Sequence, residues 1–239
     1  MILIILLEMR IHDKIYLKEN RYRKPKESFK FLTKILKKRL LKKKYYDVLD
    51  IGCANGELIY HLERNFTNLR LNGFDVRNDL LKKAKKNLSE KTSLRQVNIN
   101  KKIRNKFYKK YDIILVSGVI SIFDDLNNFK YNLKKLLKPN GRIFIFGLFN
   151  NFDYNVHVKY EDIKNYKNIK QSGWNTWSIT YLKDKFKSKK FKIHKFFINK
   201  NIKKKKLDPI RSWTIKINKK RYFTNALMII QNQMWVEIY

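Results

Sequence analysis

The segment 48–58, with the sequence VLDIGCANGEL, constrains the fold of this chain more than any other feature. Its first residues predict a short apolar strand, and Gly52 and Gly56 predict a turn that leads into a helix. Glycine lets the backbone turn sharply and approach a ligand closely. Because the first N–H groups of a helix have no partner within the helix, they point towards the same place. The segment therefore predicts a ligand-binding turn in an α/β fold.

Two acids indicate which kind of ligand suits this turn. Asp75 ends a second apolar strand about 20 residues after Gly56, where nucleotide-binding folds place the acid that binds the ribose hydroxyls. Asp50 precedes the glycines, and a carboxylate at that position would repel the pyrophosphate of a dinucleotide. It suits a cationic ligand instead, such as a sulfonium centre or the ammonium of an amino-acid tail.

The turn resembles the first motif of the class I S-adenosylmethionine-dependent methyltransferases, which is close to D-x-G-x-G-x-G. Asp50, Gly52 and Gly56 match this motif, and Ala54 stands where the family has its middle glycine. The resemblance implies a Rossmann-like methyltransferase fold and S-adenosylmethionine as the cofactor. It also implies that Asp75 binds the ribose hydroxyls.

The resemblance extends, in the family's order, over roughly residues 45 to 150. A residue at the end of the family's third strand often contacts the adenine amino group, so Asn98 or Asn100 is expected to do so here. The fourth strand leads into an active-site turn at Ser117–Gly118. The residues expected to bind the cofactor are Asp50, Gly52, Ala54, Gly56, Asp75, Asn98 and Ser117.

The alternation of strands and helices predicts the α/β class, with a mostly parallel sheet flanked by helices and right-handed crossovers. The C-terminal part differs, because after a helix at 178–188 it predicts only strands and turns. We expect a C-terminal antiparallel β-meander in which two strands complete the main sheet. Its predicted strands are 191–198, 213–217, 222–230 and 234–238.

The expected organisation is an N-terminal strap and helix, residues 1–44, followed by a single methyltransferase domain, residues 45–239. Within the domain, 45–150 is the cofactor-binding core, and 151–239 holds the substrate region and the C-terminal strands. Ligands of such sheets bind at the carboxyl ends of the strands, so the site is expected at that edge.

Polar and aromatic residues after the fifth strand predict the wall of a substrate pocket. His157 is the expected proton acceptor for a hydroxyl or an amine, because its ordinary pKa lies near neutrality. Tyr160 and Trp174 are expected to line the pocket or to shield the methyl group from water. Routine packing or a surface turn is the alternative for each of the three. In the N-terminal segment, His12 and Tyr22 are candidates for a lid, with an ordinary capping strap as the alternative.

The motifs favour a methyltransferase that acts on a small molecule at oxygen or nitrogen, such as a sugar or another biosynthetic intermediate. The turn at 117–120 reads SGVI, whereas adenine- and glutamine-N methyltransferases resemble one another in an Asn/Asp-Pro-Pro-Tyr motif there. Cytosine-C5 enzymes need a cysteine in the substrate region, and the single cysteine, Cys53, lies in the cofactor turn. An RNA methyltransferase and a non-catalytic nucleotide-binding protein of the same fold are the alternatives. The sequence has no cluster of His, Asp and Glu with the spacing of metal ligands, so we expect no metal site.

The net charge of +36 leaves two interpretations open. Strongly basic chains often bind nucleic acid or anionic membranes. Lysine, asparagine, isoleucine, phenylalanine and tyrosine are all abundant, however, and A/T-rich codons encode these residues. We therefore favour a solvated surface that reflects genome composition over binding to nucleic acid. Electrostatic attraction of phosphorylated or nucleotide-linked substrates is also consistent with the positive net charge.

The N-terminal sequence leaves the biological start open. Residues 1–7 are wholly apolar but much shorter than the roughly 20 residues that span a bilayer. For residues 1–8, an upstream extension with Met9 as the true start is one interpretation, and an edge strand or packing tail is the other. With no membrane segment, targeting signal or disulfide framework in the sequence, we expect a cytoplasmic protein. The surplus C-terminal strands are a candidate contact for a homodimer.

Overall fold

A central sheet organises the residues that the computed structural model describes, which are 16–163, 169–187, 189–206 and 210–239. The predictions for residues 1–8 and for His12 lie outside these ranges. The helices are α1 (Glu27–Arg39), α2 (Glu57–Glu63), α3 (Asn78–Lys85), α4 (Asn127–Leu136) and α5 (Ile179–Lys185). The strands are β1 (Tyr46–Ile51), β2 (Leu69–Asp75), β3 (Ser93–Gln96), β4 (Tyr111–Ser117), β5 (Leu137–Asn150), β6 (Lys159–Glu161), β7 (Lys170–Ser172), β8 (Thr176–Ser178), β9 (Phe191–Lys195), β10 (Trp213–Ile217), β11 (Lys220–Thr224) and β12 (Gln233–Ile238).

The main sheet has the order β3-β2-β1-β4-β5-β12-β9, with β8 paired to the end of β5. The first five strands of this order run parallel, which confirms the predicted α/β class and the mostly parallel sheet. Strand β12 lies antiparallel between β5 and β9, so two C-terminal strands complete the sheet as expected. The carboxyl ends of the parallel strands meet at one edge, where β1 leads into Gly52 and β4 into Gly118.

Apolar residues cover both faces of the sheet, because successive side chains of a strand point to opposite faces. Val48 and Leu49 of β1 are both fully buried, yet they belong to different cores. One core includes Leu133 of α4 and Leu182 of α5, and the other is formed with α1 and α2. Burial of both faces explains why the parallel strands have nearly continuous apolar sequences.

Helix α1 joins the N-terminal segment to the second of these cores, which it forms together with α2. Leu32 and Leu36 are one turn apart and fully buried. Glu27 lies in the first turn and basic residues lie in the last, which suits the helix dipole. The helix expected within residues 1–44 is therefore present, and it packs against one face of the sheet.

Asn140 and Gly141, a pair that is typical of turns, lie inside β5. Pairing between β4 and β5 shifts register between Tyr111 and Ile113, and Asn140 has φ 60°. The turn residues therefore form an irregularity within one long strand, as asparagine and glycine often do at bulges.

The C-terminal antiparallel region is confirmed, but it consists of two separate parts. Strands β9 and β12 belong to the main sheet, whereas β10 and β11 form a hairpin of their own. Asn218 and Lys219 both have positive φ, as a tight two-residue hairpin turn requires. The strand predicted at 222–230 is shorter than expected, because β11 ends at Thr224.

Candidate active site

The turn after β1 contains three residues with left-handed backbone. Gly52 has φ 69°, Ala54 has φ 48° and Gly56 has φ 80°. A side chain makes this conformation cost about 1–2 kcal/mol, so Ala54 carries strain that glycine would avoid. The N–H of Ala54 donates to Asp75 Oδ2 at 2.8 Å, and this bond helps to hold the strained residue in place.

Gly56 has a packing role. A Cβ at this position would lie 2.7 Å from Leu88 Cδ1 and 3.1 Å from Ala84 Cβ, at the end of α3. Gly56 borders neither of the cavities described below. Its expected contact with the cofactor therefore has no support in the geometry, and the close approach of α3 explains why glycine is needed there.

Asp50 is a buried carboxyl group at the end of β1. Its side chain is 2% exposed, and its Oδ1 has no hydrogen-bond partner among the described residues. Burial raises the pKa of Asp50 well above its usual range, Asp75 raises it further, and the charge of Lys26 opposes both effects. A buried oxygen of this kind suits a ligand that brings a positive charge.

Asp75 ends β2 beside the turn. Its Oδ2 accepts from Ala54, and its Oδ1 accepts from the backbone N–H of Arg77 at 2.9 Å. Hydroxyl groups are donors and a carboxylate is an acceptor, so a side chain of this type suits a ribose. The same side chain thus shapes the turn and faces the ligand space.

A first cavity lies against the carboxyl ends of the parallel strands. Its empty space measures about 980 Å³, part of which is open to solvent. The predicted cofactor residues that border it are Asp50, Gly52, Ala54, Asp75, Asn98 and Ser117. Asn98 Oδ1 accepts from the backbone N–H of Asn100 at 2.9 Å, which orients the Asn98 amide. All the predicted cofactor residues except Gly56 therefore meet around one space.

Residues 16–22, which we call the strap, lie over the glycine turn. Tyr22 Oη donates to the backbone oxygen of Asn55 at 2.6 Å, and its ring packs edge-on against Tyr60 with 5.0 Å between centroids. Burial, together with the charge of Glu57, raises the pKa of Tyr22 to about 12, so the hydroxyl remains a donor. Tyr22 thus lies beside the turn, and a lid function for it stays a prediction.

Asn55 and Glu57 hold the strap from below, and the sequence did not reveal this role. Asn55 Nδ2 donates to the backbone oxygens of Tyr16 at 3.2 Å and Glu19 at 3.3 Å. Glu57 Oε1 accepts from the backbone N–H of Arg21 at 2.6 Å. Both side chains are almost fully buried. The available signal was an amide and a carboxylate within a turn made otherwise of small residues.

A second cavity adjoins the first. Its empty space is about 1890 Å³, again partly open to solvent, and Trp174 and Phe196 contribute to its aromatic wall. The residues that border both cavities are Tyr16, Lys26, Gly118 and Ile122. A Cβ at Gly118 would meet no atom within 4 Å, so nothing crowds this part of the shared wall.

The predicted substrate residues are divided between the second cavity and the surface. Trp174 borders the second cavity, and Tyr160 packs against Trp174 with 5.6 Å between ring centroids but borders neither cavity. His157 is exposed and lies edge-on against Trp177 at 5.1 Å, outside both cavities. Trp177 Nε1 donates to the oxygen of Ile120 at 3.0 Å, so Trp177 fills the interior position and His157 covers it from outside. The position of His157 does not support its predicted role as proton acceptor.

The described ranges contain neither a metal-binding cluster of side chains nor a membrane-spanning helix. No group of three or more His, Cys, Asp or Glu side chains in these ranges could hold a metal ion. In the same part of the chain, no helix has both the length and the apolar character needed to cross a membrane.

Comparison with known proteins gives a family for the core of the sheet. Residues 49–143 match a family model described as a methyltransferase domain. The chain also resembles a malonyl-[acyl-carrier protein] O-methyltransferase of Halalkalibacterium halodurans, with 30% identity over 95 residues. That match covers 38% of this chain and 35% of the relative, so the chain spans about a third of the relative's length.

Solved structures extend the similarity of the fold to nearly the whole chain. A chain of the Haloferax volcanii complex that contains the Trm112 methyltransferase activator superposes with a TM-score of 0.62 and 11% identity, covering 96% of this chain and 98% of that one. Burkholderia thailandensis 1,6-didemethyltoxoflavin-N1-methyltransferase, solved with its acceptor and S-adenosylhomocysteine, has a TM-score of 0.51 and 14% identity over 88% of this chain and 76% of its own. The motif at 50–56, the domain match over residues 49–143 and the strand order agree, and the core of this chain is similar to the class I S-adenosylmethionine-dependent methyltransferases.

Proposed function

We propose that this chain transfers a methyl group from S-adenosylmethionine to an oxygen or nitrogen of a small molecule. The observation that carries the proposal is the wall shared by the two cavities at Gly118 and Ile122. A donor in the first cavity and an acceptor in the second would meet where the two cavities adjoin, beside these two residues. Such alignment can supply about 7–11 kcal/mol of the barrier reduction, so few catalytic side chains are needed.

The residues of the first cavity suit the donor. Asp50 offers a buried carboxyl to a positive charge, and Asp75 and Asn98 border the same cavity, where a carboxylate suits ribose hydroxyls and an amide suits the edge of an adenine. When bound, S-adenosylmethionine supplies a methyl carbon that accepts a lone pair from the acceptor, while the electrons of the broken C–S bond stay on sulfur. Holding the two reactants in line is then the task of the residues around the shared wall.

The acceptor side supports a small molecule. The second cavity is a concave space with an aromatic wall, which is typical of small-molecule sites. The Burkholderia relative carries a small-molecule acceptor in its name, and the Halalkalibacterium relative acts on a malonyl group carried by a protein. A homodimer through the C-terminal strands stays a prediction; β9 forms one edge of the main sheet and is open to such pairing.

A methyl-transfer screen tests this function. The chain is incubated with S-adenosylmethionine labelled in its methyl group and with separate pools of small acids, sugars, nucleotide sugars and total RNA. We expect label in a small-molecule pool and a large loss of transfer in Asp75→Asn, which lacks the second carboxylate oxygen. Label found only in RNA would favour the RNA methyltransferase, and cofactor binding without any transfer would favour the non-catalytic protein.

A further inference from the structure

The second cavity is strongly cationic. Seven basic side chains border it, of which five come from the segment 21–30 and the others are Lys200 and Arg211. Among the described residues, Glu27 is the one acid on its wall. A cavity with this balance attracts a negatively charged ligand.

Nearby acids balance some of these cations but not all of them. Buried Glu19 pairs with Arg21, Lys26 and Arg211. Glu27 pairs with Lys30 at 3.0 Å and with Lys200 at 2.5 Å.

Two cations at this cavity remain without a partner. Arg23 and Lys24 make no side-chain hydrogen bond or ion pair with any described residue, and both are exposed where α1 begins. They are therefore available to a ligand at the mouth of the cavity.

The charge of the whole chain does not explain this arrangement. A lysine-rich sequence would make both cavities basic, yet the acids Asp50, Glu57 and Asp75 border the first cavity against only Lys26 and Arg77. The two adjoining cavities thus differ in their balance of acidic and basic side chains. The first cavity, which is richer in acids, suits a cationic methyl donor. The basic second cavity suits a negatively charged acceptor.

We propose that the second cavity binds a small acceptor that carries a carboxylate or a phosphate group. Arg23 and Lys24 bind the anionic group at the mouth, and Trp174 and Phe196 contact the less polar part of the molecule. The proposal rests on the methyltransferase function above and names the chemical class of its acceptor. Charged hydrogen bonds to carboxylate and phosphate are among the stronger contacts that side chains make.

Binding of small anions to the protein tests the proposal without any methyl transfer. Wild-type protein and the double variant Arg23→Ala/Lys24→Ala are titrated with malonate and with inorganic phosphate, and the fluorescence of the four tryptophans, Trp174 among them, follows binding. The control, Lys42→Ala/Lys43→Ala, removes the same charge from an exposed turn outside both cavities. We expect saturable binding that weakens about tenfold or more in the first variant and less than twofold in the control. A preference for malonate identifies a carboxylate acceptor, and a preference for phosphate identifies a phosphorylated one.

Equal weakening in both double variants would overturn the proposal, because the anions would then sense only the overall charge. Tighter binding of a short single-stranded RNA that also depends on Arg23 and Lys24 would overturn it in favour of RNA. Calorimetry with S-adenosylmethionine separates this proposal from the function itself. If the protein binds anions but has no affinity for S-adenosylmethionine, the methyltransferase function is contradicted. The basic cavity would then still be explained as an anion-binding site.

Discussion

Asp50 links the site to proton binding at the scale of one residue. Its pKa is raised by burial and then by Asp75, so the carboxyl of the free protein holds a proton at pH values where an ordinary aspartate is ionised. A bound ammonium or sulfonium favours the ionised form and lowers that pKa. Binding of the cofactor should therefore release a proton.

The first prediction follows from this linkage. Affinity for S-adenosylmethionine should rise with pH until the pH exceeds the pKa of Asp50 in the free protein, and it should level off above that value. Calorimetry in buffers of different ionisation enthalpy counts the released protons directly. Asp50→Asn should lose the pH dependence together with about tenfold or more of the affinity. Proton release that is unchanged in Asp50→Asn would assign the effect to another group.

The second prediction concerns Gly56. A valine there meets both a left-handed backbone and the side chains of Ala84 and Leu88, so Gly56→Val should lower the free energy of unfolding by about 2–4 kcal/mol. Gly118→Ala is the control, since Gly118 also has a positive φ, 82°, but a Cβ added there would meet open space. Urea denaturation should show the smaller loss, about 1–2 kcal/mol, for the control. Equal losses would mean that packing at Gly56 contributes nothing.

The strap sets the behaviour of the site at the scale of elements. Hydrogen bonds from the glycine turn hold it, and Tyr16 within it borders both cavities. Lys83 Nζ adds bonds to the backbone oxygens of Leu17 and Glu19, each at 2.7 Å. The strap is thus attached mainly through its backbone, and loss of one donor should loosen it without unfolding the sheet.

Asn55→Ala tests this attachment, in a third prediction. It removes the donor to Tyr16 and Glu19, so we expect faster hydrogen exchange across residues 16–22 and weaker binding of S-adenosylmethionine. Asn65→Ala is the control, because Asn65 donates to the backbone oxygen of His61 at the other end of α2. Mass spectrometry should find strap exchange unchanged in the control. If Asn55→Ala leaves exchange of the strap at the wild-type rate, the strap is held by other contacts.

These elements also show what the sequence could predict. The turn at 52–56 was predictable because glycine spacing and flanking strands are local signals. The attachment of the strap was not, since Asn55 has the composition of an ordinary turn residue and its partners lie more than 30 positions away. The exposed position of His157 was not predictable either, because the pairing of β8 with β5, which puts Trp177 inside, leaves no periodic signal in so short a strand.

At the scale of the whole molecule, Glu237 joins several elements. It is fully buried in β12 and binds Arg39 of α1, Arg142 of β5 and His194 of β9, with separations of 2.6–3.1 Å. Burial alone would raise the pKa of Glu237, but the hydrogen bond from His194 and the charges of the two arginines lower it overall. This cluster ties the C-terminal strands to the rest of the sheet.

The fourth prediction concerns this cluster. Glu237→Gln should lower the free energy of unfolding by about 3 kcal/mol, because it leaves cations without their buried partner. The lowered pKa means that the ionised carboxylate stabilises the fold above roughly pH 4.3, the unfolded value, and that this stabilisation is lost as pH falls through the folded pKa. Thermal unfolding between pH 3 and pH 7 should show a smaller acid-induced loss in Glu237→Gln than in wild type. Glu90→Gln, at an exposed position, is the control; similar curves for both variants would contradict the role of Glu237.

The two cavities are lined largely by different stretches of the chain, and this affects how the protein can evolve. Apart from the segment that includes the strap and the start of α1, the first cavity draws its residues from 50–123, and the second draws most of its remaining residues from 146–233. The family match ends at residue 143, between these stretches. Under the proposed assignment, the donor cavity and the acceptor cavity are therefore encoded mainly by different parts of one gene. Mutations in the C-terminal part of the chain can therefore change the acceptor during evolution while the residues of the donor site stay the same.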